Sequence, residues 1–167
     1  MRGFFASAIK SALVALFLSL LSFWSVASGQ AMDQTFETEQ LTIRTAAGKV
    51  HVFTVEIART GDQRAQGLMN RREMADDAGM IFDFGITRPV AMWMKNTYIP
   101  LDMLFILPDG AIANIAADTT PHSEAIVESR EPVRFVLELN AGRAKALGIA
   151  VGDTVESDTI SGADANP

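Results

Sequence analysis

The chain has no cysteine among its 167 residues, and only two tryptophans and one tyrosine. Without thiols it forms no disulfide, no thiolate metal site and no cysteine nucleophile. A domain that cannot be stapled must hold itself by burial, and 49% hydrophobic content at this length supports one core. Histidine is nearly as scarce: His51 and His122 lie far apart, and no H-E-x-x-H pattern exists. There is no G-x-G-x-x-G, Walker loop or G-x-S-x-G, so the common signatures of dinucleotide, nucleotide triphosphate and serine-hydrolase chemistry are missing. His122 and Ser123 are adjacent, but chain neighbours seldom face one another, and no orienting acid or oxyanion hole accompanies them.

Positive charge is also in short supply, with 14 Lys and Arg against 20 Asp and Glu, a formal net charge of −6. Residues 1–31 carry Arg2 and Lys10 and no carboxylate, so their removal takes −6 to −8. Such a domain is not drawn to nucleic acid or anionic lipid by long-range attraction, and no nucleic-acid partner is expected. The N-terminal apolar run spans 11–24, after Arg2 and Lys10 and before a stretch of small residues. It predicts a signal peptide over 1–31, cut after Ala27, Gly29 or Ala31, and hence a periplasmic or otherwise exported protein. The alternative is an uncleaved anchor, for which the run falls short of the roughly 20 residues that span a bilayer. No cysteine stands at the cleavage site, so a lipoprotein is excluded. Membrane contact is expected only through this segment.

What remains is punctuated every eight to twelve residues by turn signals. Residues 32–40 read as a polar linker and 157–167 as a disordered tail, which leaves a single domain over 41–156. Strands are expected over 41–44, 50–58, 80–84, 111–116, 125–128 and 133–140, with a last one after the turn at 151–155. Thr60 followed by Gln63 predicts a capping box and a helix running to about Asn70. A second short helix over 141–147 would be closed by Gly148. The pattern predicts a mainly β fold, an antiparallel β-sandwich or partly closed β-barrel with two short helices. A monomer is expected.

The stretch 90–107 is unusual. It holds Trp93, the single Tyr98 and three of the eight methionines, with Lys95 and Asp102 set into an apolar run between Pro89 and Pro100 and beyond. We read it as a central hairpin, with strands 90–95 and 101–107 and a loop at 96–100. Buried charges are expensive unless paired, so the first expectation is an ion pair of Lys95 with Asp102 or Glu138. The second is a small-molecule pocket with Trp93 as stacking platform. There Lys95 and either Arg59 or Arg71 would meet an anionic or hydroxyl group, and Asn96, Asp102, Glu138 and Asn140 would fix its orientation. A sugar or anionic metabolite would suit it. Asp102 or Glu138 could serve as a general base, but no spacing demands an enzyme.

Two further readings stay open. Met92 and Met94 flank Trp93, with Met69, Met74, Met80 and Met103 near in sequence, and thioethers select Cu(I). Methionine as core filler is the preferred reading, and neither metal nor cofactor is expected. The basic cluster Arg59, Arg64, Arg71 and Arg72 could face a protein partner in an envelope accessory module, although a solvated helix face is the preferred reading.

Several blocks carry a family likeness: Ala58-Arg59-Thr60, Arg64, Gly67-Leu68-Met69 and Arg71; Gly79-Met80; Met92-Trp93-Met94-Lys95-Asn96-Thr97; and Ile99-Pro100-Leu101-Asp102-Met103. It continues through Pro121, Glu138-Leu139-Asn140-Ala141-Gly142 and Gly152-Asp153. The chain resembles the domain of unknown function 192 family over about 41–155. Gln63 stands where that family often has glutamate, which removes an ion-pair partner for Arg64. The resemblance implies a compact, mainly β fold in a small protein that often has an export signal or membrane anchor. It brings no established activity.

Overall fold

Leu41 and Ile43 alternate with polar neighbours, while Phe53, Val55 and Ile57 alternate with the more exposed Val52, Thr54 and Glu56, and each run forms a strand with one buried face. β1 (Glu37–Arg44) and β2 (Val50–Ala58) pair antiparallel, with Leu41 opposite Phe53 and Ile43 opposite His51. Their turn closes on Gly48 at a φ of 78°, a conformation that favours glycine. The structure, a computed structural model, describes residues 34–162. The expected signal peptide lies outside them.

Thr60 caps α1 (Gly61–Gln66): its hydroxyl accepts the Gln63 N–H at 3.1 Å, and Gln63 Oε1 accepts the Thr60 N–H at 3.0 Å. The helix stops short of the expected Asn70. Gly67 turns the chain at a φ of 47°, and a Cβ there would lie 3.1 Å from the Phe82 ring. The closest neighbour at this glycine is that ring. Beyond α1, β3 (Ala78–Arg88) pairs parallel with β2, Ile57 opposite Ile81. This is the one parallel pair among the described strands, made possible by the crossover through α1.

β5 (Leu101–Ile106) is buried at all six positions and lies between β6 (Ile112–Ala116) and β8 (Val133–Asn140). With β9 (Thr154–Glu156) beside β1, the described sheet runs β6-β5-β8-β3-β2-β1-β9. Its edges meet at one end, where Ala111 bridges Thr154 and the Val155 N–H donates to the Gly110 carbonyl at 2.8 Å. Gly110 has a φ of 87°, and a Cβ there would strike the Val155 carbonyl oxygen, so this seam has room only for glycine. The fold is mainly β, a partly closed barrel.

Two cores lie on the two faces of the sheet. The inner one gathers Ile43, Val55, Ile81, Leu104, Leu137 and Val155, and is plugged by residues of α2 (Arg143–Leu147) and α3 (Asp158–Ser161). The outer one gathers Met80, Phe82, Met103, Phe105 and Val136 under Leu68, Val90 and Met94. Alternation along each strand sends successive residues into different cores, which is why β5 is apolar at every position but Asp102.

Several expectations need correcting. The central hairpin does not form: β5 uses both edges for β6 and β8. From 90–95 only β4 (Ala91–Met92) is a strand, and it pairs with β7 (Val127–Glu128) in a separate small sheet. A strand apolar on both faces belongs inside a sheet, with strands on either side. The residues read as linker contribute the start of β1 from Glu37. Of those read as a disordered tail, Ser157 caps α3 and Ile160 is buried in the inner core. That makes three short helices among the described residues.

Candidate functional site

On β8, period two sends Leu137 and Leu139 inward and Glu138 to the outer face. Glu138 sits between Met80 of β3 and Met103 of β5, its register partners on either side, and both are fully buried. Burial pushes its carboxyl from the ordinary 4.5 up to about 8. The group has no hydrogen-bond or ion-pair partner among the described residues. At neutral pH it is therefore a neutral carboxylic acid, able to donate one hydrogen bond.

Glu138 lines a cleft of about 240 Å³, walled by Gly67, Leu68 and Met69 after α1 and by Met92, Trp93 and Thr97 across from them. Arg64, Arg88 and Lys95 also line it. α1 holds Arg64, whose Nη1 donates to the Asp83 carbonyl at 2.9 Å. Arg64 and Arg88 lie 5.4 and 4.9 Å from the centre of the Phe84 ring, and Lys95 lies 5.1 Å from that of Trp93. The arrangement joins a neutral acid, apolar walls and three cations, in a protein whose net charge is −6. It can neutralise an anionic group while packing against a ring.

Of the eight residues named from sequence, Trp93, Lys95 and Glu138 come together at this cleft, and the other five lie elsewhere. Asp102 is on the opposite face of the sheet, paired in register with Leu139, where its carboxylate accepts three backbone N–H groups. These come from Asp118 at 3.0 Å, Gly142 at 3.1 Å and Ala144 at 2.9 Å. Asn140 donates to the carbonyls of Met74 and Ala75 at 2.8 and 3.2 Å and so holds the chain before β3. Arg71 forms a two-pronged ion pair with Glu56, at 2.7 Å for one prong. Arg59 pairs with Glu37 at 2.8 Å and donates to Thr159 at 3.0 Å. Asn96, at a φ of 54°, accepts the Asn70 N–H on its carbonyl at 2.8 Å and joins two loops.

The expected ion pair of Lys95 with Asp102 or Glu138 is absent. Lys95 instead has Glu124 at 4.0 Å, both side chains well exposed. Exposed pairs of this kind contribute little, so Lys95→Met is expected to change stability by less than about 0.5 kcal/mol in urea unfolding. A loss of several times that would mean that the lysine holds the fold. Sequence reasoning missed Arg88 and Phe84, which precede Pro89 without any motif, and it placed Arg64 only in a basic cluster. Met80, Met94 and Met103 are buried in the outer core, where they fill space, and Met94 Sδ accepts the Thr119 hydroxyl at 3.2 Å.

The profile of the domain of unknown function 192 family, described as an uncharacterized ACR, matches residues 42–157. Two crystal structures are similar to this chain. A Sinorhizobium meliloti 1021 protein, described as a proposed transcription regulator, is 58% identical with a TM-score of 0.74, over 75% of this chain and 97% of its own. A protein of unknown function from Novosphingobium aromaticivorans DSM 12444 is 38% identical with a TM-score of 0.69, over 75% and 95% respectively. No curated protein matches.

Proposed function

This chain belongs to the domain of unknown function 192 family, and on that premise we propose that the cleft over Glu138 binds a small anionic organic molecule, a sugar acid or similar metabolite. The observation that carries the reading is Glu138 itself, a buried, unpartnered acid lining a cleft that three cations also line. A leucine between Met80 and Met103 would serve the fold better, since an unpaired buried acid costs stability. Strained or costly groups in a cleft are a mark of function. The cations would take the ligand's charge, Trp93 and Phe84 would pack on its body, and Glu138 would donate to an oxygen. A duplex would call for a broad basic face, whereas here the cations gather around a small cleft. A small effector therefore fits better than nucleic acid. The N-terminal run after Arg2 and Lys10 supports export, and we place the binding in the cell envelope.

Thermal shift against hexuronates, aromatic carboxylates and dicarboxylates, beside their neutral analogues, tests the reading. An anion at one hundred times its Kd is expected to stabilise the protein by about 2.7 kcal/mol, and a neutral analogue by far less. The gain should vanish in an Arg88→Gln/Lys95→Gln double variant. If no small anion stabilises the protein, or the double variant responds as the parent does, the cleft is not a ligand site.

A further inference from the structure

Trp93 and Tyr98 are more exposed than the six described phenylalanines, of which Phe36 and Phe84 are half-buried. Phe53, Phe82, Phe105 and Phe135 are all buried, whereas Trp93 is 45% and Tyr98 40% exposed. Each has a cation over its ring: Lys95 at 5.1 Å from Trp93 and Arg72 at 4.5 Å from Tyr98. Half-buried Phe84, with both Arg64 and Arg88 over its ring, adds a third aromatic–cation group at the cleft. The loops that carry them are tied together. The Asn70 N–H donates to the Asn96 carbonyl at 2.8 Å, and the His122 N–H to the Thr97 carbonyl at 3.1 Å. Thr97 lines the cleft and Tyr98 is the next residue, braced edge-on by His122 at 4.5 Å between ring centres.

We propose that the site extends beyond the cleft, and that its ligand is an acidic oligosaccharide whose successive uronic-acid rings meet the Phe84–Arg88, Trp93–Lys95 and Tyr98–Arg72 pairs. The inference rests on the small-anion reading of the cleft and names its substrate class. A sugar ring sets its C–H face on an aromatic ring, and a uronic acid carries one carboxylate per ring. A repeat of aromatic plus cation therefore matches a repeat of ring plus anion. The charge complementarity is local: Arg64, Arg88 and Lys95 line the cleft of an acidic protein, and Arg72 lies over Tyr98, the residue after Thr97 of the cleft wall. Glu124, 4.0 Å from Lys95, is the carboxylate that the ligand would displace.

Calorimetry with galacturonate and its dimer, trimer and tetramer tests this, beside neutral cello-oligosaccharides and hexaglutamate. Affinity is expected to rise about tenfold for each ring that gains an aromatic–cation pair, and to level off at the trimer. Tyr98→Ala and Arg72→Gln should remove the increment from the outer ring and leave the monomer's Kd within about twofold. Equal affinity for monomer and trimer would overturn the extended site and leave the cleft reading intact. Tighter binding of hexaglutamate than of any uronate would reassign the partner to an acidic peptide. If no uronate binds while another small anion does, the substrate class is wrong. Failure of every anion would remove both readings.

Discussion

Asp102→Ala is expected to cost the fold about 3–5 kcal/mol, because it strips the partner from three backbone N–H groups at once. The carboxylate is fully buried and accepts from Asp118, Gly142 and Ala144. Two of these donors start the α2 turn that plugs the barrel, and the third holds the loop after β6. A buried donor without an acceptor loses its full hydration, which is why removal costs far more than a net hydrogen bond contributes. Asp102→Asn should recover little, since the amide nitrogen would point at a backbone N–H. Urea unfolding reads the result as a drop in midpoint at constant slope. A loss under about 1 kcal/mol would show that these N–H groups find water, and that the clamp is dispensable.

Glu138→Gln is expected to act in the opposite direction and stabilise the protein at neutral pH. The folded state holds the Glu138 proton up to about 8, against 4.5 for the ordinary group. Between those values the folded state binds more protons than the unfolded one, so stability falls as pH rises through that window. Below it nothing is lost, and above it the loss is complete, on the order of 5 kcal/mol in all and about 3 kcal/mol at pH 7. Glutamine cannot ionise, so the variant should lose this component of the pH dependence. Melting temperatures of parent and variant should therefore coincide near pH 4.5 and separate steadily toward pH 8. The same variant should hold an anionic ligand at alkaline pH, where the parent's ionised carboxylate would repel it. A parent whose stability is level from pH 5 to 8 would mean that the acid is solvated or paired, and the case for the cleft would lose its main support.

Lys95, Asp102 and Glu138 show where sequence reading reached and where it stopped. The capping box at Thr60 and Gln63, the strand at 133–140, and the helix-closing glycine at 148 were legible because each depends on a few residues along the chain. The polar residues set into apolar stretches stood out in the sequence. Their partners were not legible, since face and register belong to the sheet and not to the strand. Period two places Asp102 with Leu104, and Glu138 with Val136. Only the pairing of β5 with β8 shows that these two sets look in opposite directions.

The segment 90–107 shows the same division. Its apolar character and its concentration of Trp93, Tyr98 and methionines were evident from the sequence, and suggested a hairpin because two apolar runs flank a short loop. Tertiary structure overrode that local inference: β5 gains more by lying between β6 and β8, with both edges bonded and both faces dry. The preceding residues were thereby released to wall a cleft, with Trp93 left exposed beside Lys95. By itself the sequence determined a cysteine-free, acidic, mainly β domain with one core-rich central stretch and its family resemblance. Long-range pairing alone decided that Asp102 fastens α2 and the loop after β6 to the inner face while Glu138 faces a cleft, because a one-residue change of register turns every side chain to the other face.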